Sequence, residues 1–152
     1  LWVDGTTQGM EHYADQLLND AKQLRALVET VEIDANLLIT GAVALLNEVS
    51  ATKVTGEEER YSHTDLYDFA ANVEGSLKIF QLLQPELAKK DPELAKTIQD
   101  RFDAVFEALA PFKKGDGYVP YTELSKEETK KLSQVIDALA EPLSNMGTLL
   151  EA

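Results

Sequence analysis

Apolar residues recur along this chain at steps of three and four, and no stretch alternates at a step of two, so the pattern predicts helices throughout. Met10, Ala14, Leu17, Ala21, Leu24, Val28 and Val31 form one face of a first long helix, with Thr6 and Thr7 placed to cap it. Asp34 is a cap for a second helix, whose run from Leu37 to Leu46 is apolar nearly all round and therefore predicts a central position. A polar stretch, Ser50 to Ser62, separates it from a third helix opened by Ser62 with Asp65 three residues on, close to a capping box. Leu66, Phe69, Val73, Leu77 and Phe80 stripe that helix, and Pro85 should end it near Gln84. Asp91 followed by Pro92 starts the fourth, with Leu94, Ile98, Phe102, Val105 and Leu109 as its face and Pro111 as its end. Lys113 to Glu123 reads as a loop. Ser125 and Glu128 form a capping box for the last helix, which carries Leu132, Val135, Ile136, Leu139, Leu143 and Met146 and should kink at Pro142. The expected fold is all-α: an antiparallel helical bundle of about five helices.

Composition narrows what such a bundle can do. The 152 residues and 44% hydrophobic content suffice for a packed core. Cysteine is absent, which removes disulfides and thiolate metal sites. No run reaches the ~18 apolar residues of a membrane span. Lys and Arg number 14 against 27 acidic residues, a formal net charge of −13. That balance disfavours nucleic acid and anionic membrane surfaces and favours cations, although acidic surfaces also serve solubility alone. The chain opens on Leu1-Trp2-Val3 without an initiator Met, which suggests a processed or truncated product.

The third helix and the turn before it hold the densest set of polar groups. Helical spacing puts Asp65, Asp68 and Asn72 on one flank of the apolar stripe and His63, Tyr67 and Glu74 on the other, with Glu57, Glu58 and Glu59 just upstream. Carboxylates, a phenol and an imidazole suit hard or borderline cations: ferric or ferrous iron, zinc or calcium. The same acidic residues also complement a helix N-terminus without any ligand. His12, flanked by Glu11 and Asp15, reads as part of an exposed face. No Glu-x-x-His pair, His-Glu-x-x-His pair, phosphate loop or dinucleotide fingerprint is present, and Ser62 beside His63 cannot act as nucleophile and base. Trp2, Tyr61, Tyr67, Tyr118 and Tyr121 could stack on sugar rings, but packing is the commoner use of single aromatics.

The stretch Glu48-Val49-Ser50, Lys53, Thr55-Gly56-Glu57-Glu58-Glu59-Arg60-Tyr61-Ser62-His63-Thr64-Asp65-Leu66, Asp68-Phe69 and Ala71-Asn72-Val73-Glu74-Gly75-Ser76 resembles EfeO/EfeM-type, imelysin-like iron-transport proteins. So do Asp4-Gly5-Thr6-Thr7, Gly9-Met10 and Tyr13-Ala14 near the start, and Ala138-Leu139-Ala140-Glu141 near the end. The resemblance implies a periplasmic protein, or a membrane-anchored lipoprotein, that binds iron for an uptake system and is not an enzyme despite the family's peptidase name. It implies a membrane iron permease and a haem peroxidase-like protein as partners. The family's His-x-x-Glu metal motif is expected upstream of Leu1, so residues 1–152 would be the C-terminal part of an imelysin-like helical domain whose N-terminal half is missing. Glu58, His63, Asp65, Asp68 and Glu74 are the candidate pool for the complementary metal ligands. The alternative is a binding protein for an acidic polysaccharide such as alginate, for which Lys89, Lys90, Lys113, Lys114, Lys130 and Lys131 are the available basic doublets.

Overall fold

The computed structural model describes residues 3–53, 56 and 58–151, without the side chains of residues 52, 53 and 151. Trp2, Thr55 and Glu57, and the side chain of Lys53, lie outside the described residues. Five α-helices follow in order: α1 (Glu11–Val28), α2 (Ala35–Glu48), α3 (Asp65–Lys90), α4 (Pro92–Leu109) and α5 (Lys126–Glu151). A π-helical turn, Val49–Lys53, extends α2, and two-residue strands β1 (Lys113–Lys114) and β2 (Gly117–Tyr118) pair antiparallel in the loop before α5. The expected all-α architecture holds.

The chain divides into two compact units, Leu1–Ile33 and Asp34–Ala152. The first contains α1, which begins without a side-chain cap: Thr6 instead accepts from the Gln8 N–H, and Thr7 offers its carbonyl to the Met10 N–H. Although α1 has the expected apolar face, none of its residues is buried, and Leu17, Leu24 and Leu27 are all more than half exposed.

In the second unit, α2 packs on α3 and α5, and α4 packs on the same two helices, closing a four-helix ring. Its core is drawn from the stripes the periodicity marked: Leu66, Phe69, Val73 and Phe80 on α3, Ile98, Phe102, Val105 and Leu109 on α4, and Leu132, Ile136, Leu139, Leu143 and Met146 on α5. Helix α2 is not central. It buries Ile39, Ala42 and Leu46, while Leu37 is half exposed and Asn36, Thr40 and Asn47 line an open groove against α5.

Three of the expected caps form. The Leu37 N–H donates to Asp34 Oδ1 at 2.7 Å, and the Leu94 N–H to Asp91 Oδ1 at 2.9 Å. Ser125 and Glu128 close their box, each side chain accepting from the other's backbone N–H. The Ser125 hydroxyl, then its N–H, hold the Glu128 carboxyl below the usual value.

The start and end of α3 differ from expectation. The helix begins at Asp65, and the Ser62 hydroxyl donates to the Glu59 carboxylate rather than capping it. It also runs through Pro85 to Lys90. Gln81, whose carbonyl loses its donor, and Pro85 both face solvent, while Phe80 and Leu87 on the opposite side are fully buried. Water can satisfy the freed carbonyl, and burial of Leu87 offsets the local cost. Helix α5 likewise continues past Pro142. Replacing Pro85 with alanine should therefore restore a backbone bond and stabilise the fold by about 1–2 kcal/mol, net of the entropy proline removes from the unfolded chain. Urea unfolding that showed no gain would mean the helix is broken there.

Candidate metal centre

Residues 58–64 turn back on the start of α3, joined to it by a bond from the backbone to the Asp65 side chain. Gly56 has φ 71° and His63 has φ 61°, the latter a left-handed conformation that costs a residue with a Cβ on the order of 1 kcal/mol. His63 is held there from both sides: its N–H donates to the Glu59 carbonyl at 2.7 Å, and its carbonyl accepts the Tyr121 N–H at 2.9 Å. The Glu59 N–H in turn donates to Asp65 Oδ1 at 3.1 Å.

Asp65 is the residue these bonds converge on. Helical spacing put it on a flank of the apolar stripe, and it is fully buried at 0% exposure. Its Oδ2 is the one buried side-chain oxygen or nitrogen among the described residues with no hydrogen-bond partner. A buried carboxylate oxygen left unpaired is costly in a low-dielectric interior, and native structures keep such atoms where something else compensates them.

The other candidates scatter around it. His63 and Asp68 are half-buried, Asp68 being engaged with a neighbour, while Glu58 and Glu74 are exposed and Glu58 is also engaged. Among the described residues, no three His, Asp or Glu side chains come together closely enough to hold a metal ion. The candidate pool is therefore not gathered into one cage here; Asp65 alone offers a buried, unspent oxygen. Glu74 acts elsewhere. The Tyr118 hydroxyl titrates above its ordinary value because of burial first and the Glu74 charge second. In a spectrophotometric titration Tyr118 should ionise later than an exposed tyrosine, and Glu74→Gln should bring it part of the way back; an unmoved curve would place Glu74 too far away to matter.

The loop before α5 packs on this turn. A Cβ added to Gly56 would overlap the Tyr121 ring, and one added to Gly117 would overlap the Tyr67 hydroxyl, so both positions require glycine as packed. The Tyr67 and Tyr118 rings meet edge to face at 5.8 Å. Sequence reasoning left this loop out of the site; the glycines at 56 and 117 and Tyr121 were the available signals. Behind the loop, Tyr121, Ser50, Ser133 and Lys130 help line a cavity of about 340 Å³. The Ser50 hydroxyl there donates to Asp137 at 2.7 Å.

The basic doublets meet different fates. Lys89 pairs with Glu86, and Lys90 donates to the Leu149 carbonyl. Lys113 and Lys114 are exposed on β1, and Lys126, Lys130 and Lys131 surround one concavity at the start of α5. Among the described residues, no helix is long and apolar enough to cross a membrane.

Comparison with known proteins places these features in a family. The model of the imelysin family, which carries a peptidase name, matches residues 1–146. An EfeM/EfeO family lipoprotein of Staphylococcus haemolyticus is 53% identical over 149 residues, covering 98% of this chain and 51% of that protein. Lipoproteins of the same family from Staphylococcus aureus are 49% identical over 139 residues, covering 91% of this chain and 49% of theirs. The chain thus spans about half the length of the curated relatives it matches. With nearly its whole length matched by the family model and its helices arranged as an imelysin-like bundle, the chain belongs to the imelysin family, and within it is similar to the EfeM/EfeO lipoproteins.

Proposed function

We propose that this chain is part of the iron-binding component of an Efe-type uptake system, and that Asp65 Oδ2 is one of the oxygens that hold the iron. The observation that carries the reading is the fully buried Asp65 carboxylate with one oxygen unpartnered, beside a left-handed His63. An anionic oxygen ligand suits ferric or ferrous iron, with zinc or calcium as weaker candidates on the same chemistry. The net charge of −13 favours attraction of cations to the surface. On this reading the remaining ligands belong to the rest of a longer polypeptide, the chain spanning about half the length of its relatives. Residues 1–152 then form the C-terminal part of the imelysin-like domain, and the site lies against its other half.

Binding and handover, not turnover, is the activity. This reading follows the similarity to proteins named as lipoproteins rather than the family's peptidase name. The similarity to lipoproteins supports a location outside the cytoplasm, tethered to a membrane. There the protein would pass iron to a membrane permease and work beside a haem peroxidase-like protein. A second reading, recognition of an acidic polysaccharide such as alginate, is favoured by the lysine concavity at Lys126, Lys130 and Lys131.

Equilibrium dialysis separates these readings. The polypeptide at the length of its relatives is dialysed against ferric iron, ferrous iron, zinc and calcium, with alginate oligosaccharides in parallel. Iron retention that survives a calcium excess and needs no saccharide supports the proposal. Saccharide retention without iron retention would favour the second reading.

A further inference from the structure

We infer that the loop Lys113–Glu123 positions the Asp65 carboxylate, and that Tyr121 is the residue through which it does so. The functional consequence rests on the reading of Asp65 as an iron ligand; the structural relay stands apart from it. Three hydrogen bonds run in series from loop to carboxylate: Tyr121 N–H to the His63 carbonyl, His63 N–H to the Glu59 carbonyl, and Glu59 N–H to Asp65 Oδ1. The two bonds at His63, and again the two at Glu59, fall on the peptide groups either side of one Cα, so together they restrict that residue's φ and ψ and pass the constraint along the turn. The relay also passes through the left-handed His63, which reverts to ordinary backbone unless it is held at both ends.

Packing reinforces the relay at the same place. The Tyr121 ring lies on Gly56 where no Cβ could fit, and Gly117 lies under the Tyr67 hydroxyl. Tyr67 donates its N–H to the Thr64 carbonyl, which ties the second contact to the first turn of α3. Asp65 is thus set by a segment more than forty residues away in sequence, rather than by its own helix alone. With Oδ1 fixed by Glu59, the plane of the carboxylate and the direction of Oδ2 follow. Preorganisation of this kind raises affinity by removing the cost of ordering the ligand on binding.

The backbone permits a test that removes one bond of the relay. Tyr121 opens a short 3-10 turn, Tyr121–Glu123, and Pro120 has ψ 139°, the extended geometry a residue before proline adopts. Tyr121→Pro therefore fits the local chain while deleting the N–H to His63, whereas Tyr121→Ala removes the ring and keeps that N–H. Hydrogen exchange of the Glu59 amide is followed in both variants, together with their unfolding in urea. The expected result is exchange at least about tenfold faster in Tyr121→Pro than in Tyr121→Ala at comparable global stability. Equal rates would overturn the inference.

If Tyr121→Pro does not fold, Gly117→Ala serves instead. Gly117 has no positive φ, so its methyl group meets only the Tyr67 side chain and lifts the loop from α3. Glu59 exchange should rise, and the double variant Gly117→Ala/Tyr67→Ala should restore protection, while no rise, or no rescue, would equally overturn the inference. Iron affinity is then measured on the longer polypeptide, where Tyr121→Pro should bind about tenfold more weakly than Tyr121→Ala. Loss of Glu59 protection with unchanged iron affinity, in a protein also indifferent to Asp65→Asn, would leave the relay standing and reject the iron reading of Asp65.

Discussion

Replacing Asp65 with asparagine is expected to weaken iron binding by on the order of 100-fold while leaving the fold as stable as before, or slightly more so. The two effects have separate causes. Groups that only support a metal ligand are worth about 10–100-fold in affinity, so removal of an anionic ligand itself should reach at least the upper end. Stability is decided by opposing terms. A negative charge in the first turn of α3 gains up to ~1 kcal/mol from the helix N-terminus, and Oδ1 accepts a charge-assisted bond from Glu59. Against this, an unpaired carboxylate oxygen at full burial carries a desolvation cost of several kcal/mol. Asparagine keeps an oxygen for the Glu59 N–H and removes the buried charge, so the net change should lie between zero and about 1 kcal/mol in favour of the folded state. Titration of iron and urea unfolding of the same preparation check both halves. A loss of stability of ~2 kcal/mol or more with unchanged iron affinity would make Asp65 a purely structural helix-starting residue.

The opposite pattern is expected for Phe102→Ala. Phe102 on α4 and Phe80 on α3 are both fully buried, and their rings stack at 5.7 Å between centroids. Truncation removes the transfer energy of the ring, leaves a cavity and breaks the aromatic pair, for a cost of about 3–5 kcal/mol. Set against the ~5–15 kcal/mol of a domain this size, that is a third of the stability or more. Iron affinity per folded molecule should nevertheless stay within a factor of about two, because neither ring touches the Asp65 turn. Urea unfolding giving a cost under ~2 kcal/mol would mean the α3–α4 interface repacks freely.

Phe80 and Phe102 also show why so much of this fold could be read from the chain. Their helices carry the 3.6-residue period over many turns, and period alone assigns which face is buried. The caps at Asp34, Asp91 and Ser125 were legible for an equally local reason: the acceptor and the N–H it takes lie three residues apart. Pro85 was misread because its effect depends on what surrounds it; the buried Leu87 and the solvent-facing Gln81 decide that α3 continues.

The candidate centre was legible in composition and not in geometry. Asp65 was marked by residue type and by family resemblance, yet helical spacing placed it on a flank of the apolar stripe, because spacing knows nothing of the turn beside it. That turn depends on a left-handed His63 and on contacts from Tyr121 and Gly117, all tertiary. Glu58 and Glu74 matched the same chemistry and are exposed, which spacing could not distinguish from burial.

The most direct measurement is an anomalous difference map at the iron absorption edge, from crystals of the longer polypeptide grown with iron. The account expects a peak within bonding distance of Asp65 Oδ2, beside the turn at residues 58–64. A peak held only by surface carboxylates such as Glu58 or Glu74, with Asp65 still unpartnered, would contradict it.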